Sequence, residues 1–359
     1  MDRFANPAGK GRLMAEETSH YAVVAVDDEG RQLARLLDGY IAPQVARVMA
    51  LLGVPDELGE TARTAEELAP ATGAAPGPLA RLLAAASLYG LVTQAEDGKF
   101  ALTPMGARLR TDIPGSMRSL AIGFLAPPLW QAWGQLAEVV QTGRPSDPAS
   151  WEYFQQHPGE AAWFARAMSQ LTAAVVSRLA ATGYAPPAAE RIVDVGGSRG
   201  TLLASLLRSA PHARGVVFDR AEALSDAPAV LAGAGLADRT EIVAGDFFAE
   251  VPAGDLHVLS NVLHDWEDDE ARRIIGNCHR AGRPGGGLLV VGYLMPTPPE
   301  PSLAYLMDLL MMMVMGGRER SLAELLSLMA AEGYEFARDV PLGDSPAWQP
   351  WHVVEFLRR

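Results

Sequence analysis

The chain has 359 residues, 49% of them hydrophobic and 20% charged, with a formal net charge of -13. That length predicts about two domains, each able to bury its own core. The acidic balance argues against nucleic acid or an anionic lipid surface as partner. Cys278 is the single cysteine, so no intramolecular disulfide can form, and the chain suits a reducing cytoplasm. The ordinary reading of Cys278 is a free core thiol. No apolar core of a secretory signal occupies the first thirty residues, and no run of eighteen apolar residues offers a membrane span.

Residues 1–30 carry no clear period and read as a mobile arm. From Arg31 the apolar residues of RQLARLLDGYIAPQVARVMALLGV recur at spacings of three and four, which predicts helix. TAEELAPATG predicts a short helix capped by Thr64, with Glu67 three residues on. GPLARLLAAASLYGLV predicts a further helix running into a strand. LVTQAEDGKFALT predicts a hairpin around Glu96-Asp97-Gly98. Helices followed by a hairpin outline a winged helix over residues 31–112. Its third helix offers Arg81 as its only cation among Leu82, Leu83, Ala84, Ala85 and Ala86. Base readout needs several reaching polar side chains, so a regulator that binds DNA is the distant alternative. Such an apolar helical layer fits packing against a second copy of the chain.

Residues 113–185 read as a helical connector, with Trp130, Trp133, Trp151 and Trp163 concentrated there, and Pro186-Pro187 as linker. Over residues 186–359 the period changes. RIVDV, GVVFD, TEIVAGD, DLHVLSNVL and GLLVVGYL have strand length, and TLLASLLRS, AEALSDAPAVLAGAG and DDEARRIIGNCHRAG read as intervening helices. That alternation predicts an α/β, Rossmann-like parallel sheet. YEFARDVPL and WHVVEFLRR, with no helix between them, predict an antiparallel hairpin at its edge.

The first of these strands runs into Gly196-Gly197-Ser198-Arg199-Gly200 and then a helix. Glycines let backbone approach a ligand, and a helix N-terminus offers it free N–H groups. Three chemistries compete for this loop. The dinucleotide fingerprint G-x-G-x-x-G fails in both registers. The loop does match the G-x-S-x-G elbow of hydrolases, but an elbow serine follows several earlier strands and an oxyanion loop, which are missing here. A nucleoside cofactor without pyrophosphate accounts for more residues. Asp219 ends the second strand, where a carboxylate can accept both ribose hydroxyls. Asp246 and Phe247 end the third, where they can accept from an adenine amino group and cover its ring.

The fourth strand leads through Ser260 to His264. An imidazole near neutral pKa can take a hydroxyl proton as that oxygen attacks a sulfonium methyl. Glu267, Asp268, Asp269 and Glu270 superficially suggest a metal site, but acids at a helix start are usually capping and dipole residues, and no metal is expected. Tyr305 to Met315 carries five methionines, suiting a core helix and an adaptable apolar pocket alike. Glu319, in Gly316-Gly317-Arg318-Glu319-Arg320, is a candidate to orient His264.

VDVGGSRG, GVVFD, GDFF, NVLHDWEDDEA, NCHRAGRPGGGLLVV and GGRER, in this order, resemble the class I small-molecule O-methyltransferases of plant caffeate and isoflavone type and bacterial polyketide-tailoring type. The resemblance spans residues 31–357. It implies a seven-stranded Rossmann-like catalytic domain, an N-terminal winged-helix dimerisation domain, a homodimer and a small secondary-metabolite acceptor. It implies that Gly196, Asp219, Asp246 and Phe247 bind S-adenosylmethionine, that Ser260 lies near it, and that Thr172 touches it. It further implies that His264 is the general base supported by Glu319, and that Phe164, Met168 and Met312 line the acceptor pocket. At Gly292, four residues before Pro296, many relatives carry a glutamate that helps to orient the base. This departure keeps C- or N-methylation, or cofactor-bound chemistry without methyl transfer, as the alternative.

Overall fold

The computed structural model describes Val24, residues 27–145, Tyr153, residues 156–343 and residues 351–359. Trp151 and most of the expected arm lie outside the described residues. The chain divides into two compact units, residues 1–130 with 152–167 and residues 131–151 with 168–359. The segment read as one connector, 113–185, is thus shared between them.

In the first unit the helix begins earlier than the periodicity suggests and is interrupted. α1 spans Asp28–Asp38, with Asp27 Oδ1 accepting from Gly30 N. Gly39 and Tyr40 break the run, and α2 spans Ile41–Leu51. α3 follows at Val54–Leu58 and α4 at Ala65–Thr72. Thr64 and Glu67 close the expected capping box, satisfying two end N–H groups. α5 spans Pro76–Leu88, and β1 (Val92–Gln94) pairs antiparallel with β2 (Phe100–Leu102). Met49, Leu58, Leu68, Leu79, Leu83 and Phe100 form the core of this unit. Each such side chain contributes about 1.5–3 kcal/mol through burial. α6 covers Arg118–Gly123. Its Arg118 guanidinium lies over the Trp163 ring, 5.1 Å from the centroid.

The helices α7 (Pro127–Gly134), α8 (Leu136–Thr142) and α9 (Pro158–Thr182) follow. The second unit is built on a seven-stranded sheet. Its strands are β3 (Arg191–Val195), β4 (Arg214–Asp219), β5 (Thr240–Ala244), β6 (Gly254–Ser260), β7 (Gly282–Tyr293), β8 (Tyr334–Pro341) and β9 (Trp351–Arg358). Their order is β5-β4-β3-β6-β7-β9-β8, with the first five parallel. β8 and β9 form the expected antiparallel pair, with β9 against β7 and β8 at the edge. The strand order reverses beside β3, and the crevice between β3 and β6 at their carboxyl ends is the ligand position of open α/β sheets.

Alternation along each strand sends side chains to opposite faces. Ile192 joins one core cluster, Val193 and Val195 the other. Asp194 shares the face of Ile192, which makes it a carboxylate in an apolar layer. α10 (Thr201–Ser209) packs on that face through Leu202, Leu203, Leu206 and Leu207. The helix expected over AEALSDAPAVLAGAG is shorter than its composition suggests. Residues 221–226 form turns, and α11 is Ala227–Gly233, with Pro228 in its first turn. α12 (Asp268–Ala281) carries Cys278 into the core, where burial pushes its thiol pKa up to about 12. α13 (Ala304–Val314) and α14 (Leu322–Ala331) complete the unit. Among the described residues, no helix is long and apolar enough to cross a membrane.

Candidate active site

The loop after β3 turns back because Gly196 takes φ +74 and Gly200 takes φ +73. Gly196 N donates to Phe218 O at 2.8 Å. Gly197 is required for space instead. A Cβ there would lie 2.7 Å from Asp194 Cγ, because the buried carboxylate presses on the loop from below. Burial raises that carboxyl to about 7, with Asp219 adding repulsion, and its Oδ2 has no partner. Ser198 has the positive φ, +46, of a strained turn, which is what the hydrolase elbow also needs. Yet Ser198 Oγ meets only the Ala223 carbonyl, at 3.5 Å, and no imidazole among the described residues.

Asp219 is a structural partner of the loop. Its Oδ2 accepts from Ser198 N at 2.9 Å and its Oδ1 from Arg220 N at 2.7 Å. Burial raises its pKa against these hydrogen bonds. Asp246 is exposed and accepts from Phe248 N at 2.8 Å. Phe247 belongs to an edge-to-face cluster with Phe248 and Trp266, at centroid distances of 5.0 and 6.2 Å. Strand order places the ends of β5, β4 and β3 side by side, so Asp246, Asp219 and the glycine loop follow in sequence along one edge of the crevice.

On the other side of the crevice, Ser260 ends β6 half-buried, and Asn261 follows with φ +53. Asn261 Oδ1 and Trp266 Nε1 are both buried without partners. Asn261 Oδ1 can accept and Trp266 Nε1 can donate, and with the further acceptor capacity of the Asp219 carboxylate they fit a ligand bearing hydroxyls, amino groups and a heterocycle. Thr172 stands on α9, and its Oγ1 donates to Met168 O within that helix at 3.1 Å. One turn earlier, Ser169 accepts from Arg199 of the loop at 2.7 Å. Among the described residues, no hydrogen bond joins Thr172, Met168 or Met312 to His264. Met168 and Met312 are half-buried. Phe164 lies in the first unit, its ring 5.8 Å from that of Phe124.

His264 sits in a single 3-10 turn, Leu263–Asp265, which follows β6 after Asn261 and Val262. Its Nδ1 lies 2.8 Å from Glu319 Oε1, and Glu319 is only 4% exposed. Its Nε2 lies 3.5 Å from Asp265 Oδ1. Burial by itself would depress the imidazole, but the hydrogen bond and charge of Glu319, with Asp265 adding, raise its pKa above the ordinary 6.5. Burial likewise raises Asp265, to about 6. Glu319 is fixed in turn, since its N–H donates to Asp308 Oδ1 at 2.8 Å.

Three contributors to this geometry escape sequence reading. Asp308 lies in the methionine-rich helix and is its one acid. Gly317 touches the turn so closely that a Cβ would fall 2.2 Å from His264 O. Arg320 reaches the same turn from the residue after Glu319. The adjacency of Glu319 and Arg320 was the available signal. A cavity of about 40 Å³ adjoins the dyad, lined by Asn261, His264, Gly292, Tyr293, Glu319 and His352 among others. A Cβ on Gly292 would meet nothing nearer than Asn261 Oδ1 at 3.9 Å, so a side chain is missing there, not excluded. Of the acidic run, Asp268 to Glu270 occupy the first turn of α12.

A family model described as the O-methyltransferase domain matches residues 133–335, and one described as the O-methyltransferase dimerisation domain matches residues 34–112. The chain belongs to the O-methyltransferase family. It is 36% identical to a phenazine O-methyltransferase of Lysobacter antibioticus over 86% of this chain and 92% of that protein. It superposes with TM-score 0.74 and 32% identity on an O-methyltransferase from neocarzinostatin biosynthesis, solved with S-adenosylmethionine and 2-hydroxy-5-methyl naphthoic acid, covering 88% and 96% of the two chains. It is also 31% identical, over 90% of this chain and 89% of that protein, to aclacinomycin 10-hydroxylase of Streptomyces purpurascens.

Proposed function

We propose that this protein transfers the methyl group of S-adenosylmethionine to a phenolic or enolic hydroxyl of a small, largely apolar secondary metabolite. The observation that carries this reading is the buried Glu319 carboxylate at His264 Nδ1, 2.8 Å away, beside the carboxyl-end crevice. The bound donor supplies an electrophilic methyl carbon on a sulfonium. The acceptor oxygen bonds to that carbon, the carbon–sulfur bond breaks with its electron pair going to sulfur, and S-adenosylhomocysteine is left. His264 Nε2 takes the hydroxyl proton. Glu319 holds Nδ1–H, which fixes the tautomer whose Nε2 is free to accept. The imidazolium then lies between Glu319 and Asp265, which stabilises it.

In this reading Gly196, Asp219, Asp246, Phe247, Ser260 and Thr172 hold the donor. Met168 and Met312 line the acceptor pocket. The domain division is an arm over 1–30, a dimerisation domain over 31–112, a connector over 113–185 and a catalytic domain over 186–359. A homodimer in the cytoplasm completes the proposal. Its support is the matched dimerisation model and the apolar face of α1, where Leu33, Leu36 and Leu37 are exposed.

The test is product analysis with S-adenosylmethionine and hydroxylated naphthoic acids or phenazines as acceptor probes. A methyl ether formed one-for-one with S-adenosylhomocysteine is expected. The second reading, cofactor-bound chemistry without methyl transfer, draws on Gly292 and on the similarity to a hydroxylase. Acceptor conversion without S-adenosylhomocysteine would establish it instead.

A further inference from the structure

The turn that carries His264 is one 3-10 turn between a strand end and a helix start, and it has few hydrogen bonds of its own. Asp265 N reaches Val262 O at 3.2 Å, and Trp266 N reaches Leu263 O at a long 3.4 Å. Such a turn does not by itself fix a side chain to the fraction of an ångström that proton transfer needs. The rigidity comes from residues 317–320. Gly317 packs its backbone against His264 O and Asp265, and Glu319 takes the ring.

Arg320, 5% exposed, takes the main chain. Its Nη1 donates to Leu263 O at 2.7 Å, its Nη2 to Trp266 O at 2.8 Å, and its Nε to Asp268 Oδ1 at 3.0 Å. One planar group thus grips the carbonyl before His264, the carbonyl two residues after it, and the first turn of α12. Arg320 O in turn accepts from Met295 N at 2.9 Å, which ties the segment to the chain that follows β7. A guanidinium can satisfy three diverging acceptors from one rigid plane, whereas an ammonium cannot span them.

We propose that Arg320 is a positioning residue. By gripping Leu263 O and Trp266 O it sets the His264 turn so that the imidazole meets Glu319 through one nitrogen and keeps the other for the acceptor hydroxyl. The kinetic part of this proposal rests on the reading of His264 as base; the positional part does not. The charged groups facing the imidazole are Glu319 and Arg320 from the one segment and Asp265 from its own turn. Asp308 and Asp268 act one step away, through Glu319 N and the Arg320 guanidinium. The charge of Arg320 lowers the His264 pKa, whereas the Glu319 hydrogen bond that Arg320 preserves raises it. The two roles therefore predict opposite signs.

The deciding experiment titrates His264 by NMR in protein carrying ¹³C-labelled histidine. The resonance is assigned by its loss in His264→Ala. In Arg320→Met, loss of the grip should move the His264 midpoint down by about half a pH unit or more. Arg320→Lys keeps the charge and the buried stem but not the fork, and it should also move down. If Arg320→Met does not fold, Arg320→Lys decides. With 1,4-dihydroxy-2-naphthoic acid as acceptor probe, kcat should fall at least tenfold with KM within about threefold, and S-adenosylmethionine affinity should hold. An upward shift in Arg320→Met, or a wild-type midpoint in Arg320→Lys, would overturn the proposal. If His264→Ala turns over normally, the base reading fails while the titration still judges the grip.

Discussion

Glu319 and His264 are 55 positions apart in sequence, yet Glu319 Oε1 lies 2.8 Å from His264 Nδ1, and the carboxylate is almost wholly removed from water. A buried carboxylate on one nitrogen orients the ring, selects the tautomer and strengthens the opposite nitrogen as a base. His264→Ala should therefore cut kcat by about 10²–10⁴ while leaving S-adenosylmethionine affinity within about threefold. Calorimetric binding and steady-state rates on the same preparation check both halves. Unchanged turnover would leave proximity of donor and acceptor as the whole of the catalysis.

The pH profile has a definite sign. Only the neutral imidazole can accept the proton, and its pKa lies above 6.5 because Glu319 and Asp265 outweigh burial. Activity should rise with pH through that elevated value. Glu319→Gln removes the charge that raises it, so the acidic limb of kcat/KM should move down and the plateau should fall. An acidic limb that stays in place would show that another group is being titrated.

Gly292 offers the converse experiment. The space beside it is open and its φ is not left-handed, so Gly292→Ala should fold with stability within about 0.5 kcal/mol of the parent. Gly292→Glu would place a second carboxylate in the cavity beside the dyad and should move the acidic limb upward. Thermal unfolding and pH–rate profiles of the two variants test this.

Gly197 is the contrasting position, where backbone and the Asp194 carboxylate leave no room for a Cβ. Gly197→Ala should destabilise by about 1–3 kcal/mol and weaken S-adenosylmethionine binding more than tenfold. Equilibrium binding, with Gly292→Ala as control, distinguishes the loop from a general effect of added methyls.

Asp194 itself gives a stability prediction. Its carboxyl is raised from 3.8 to about 7 by burial, so the folded state favours the protonated form. The stability tied to that proton is complete below pH 3.8 and is lost as pH rises through about 7. Asp194→Asn removes this dependence. Between pH 5.5 and 8.5 the variant should lose less thermal stability than the parent, and equal losses would show that Asp194 is not carrying a proton.

Much of the second unit is legible in the sequence because each strand is a short apolar run and each loop follows it directly. RIVDV, GVVFD and GLLVVGYL announce their strands, and the edge hairpin follows from the missing helix before WHVVEFLRR. The glycine loop was ambiguous by itself, since Ser198 does adopt an elbow-like φ. Position resolves it, because its strand is the first of the sheet in the chain. Local periodicity misses short breaks, as at Gly39 and Tyr40, and overextends helices, as before Pro228. It also cannot show that Gly317 and Arg320 press on a turn more than fifty residues away. Those contacts depend on three-dimensional closure around His264, and neither residue has an apolar period to betray it.

The central claim is oxygen methylation from S-adenosylmethionine. It is tested most directly by incubating the protein with cofactor carrying a ¹³C methyl group and a panel of hydroxylated naphthoic acids and phenazines. Mass spectrometry and ¹³C NMR then identify the products. The account predicts one labelled methyl on an acceptor oxygen for each S-adenosylhomocysteine formed, and loss of that label in His264→Ala. Label on carbon or nitrogen, an oxygenated product without S-adenosylhomocysteine, or no transfer to any hydroxyl while the cofactor binds would contradict it.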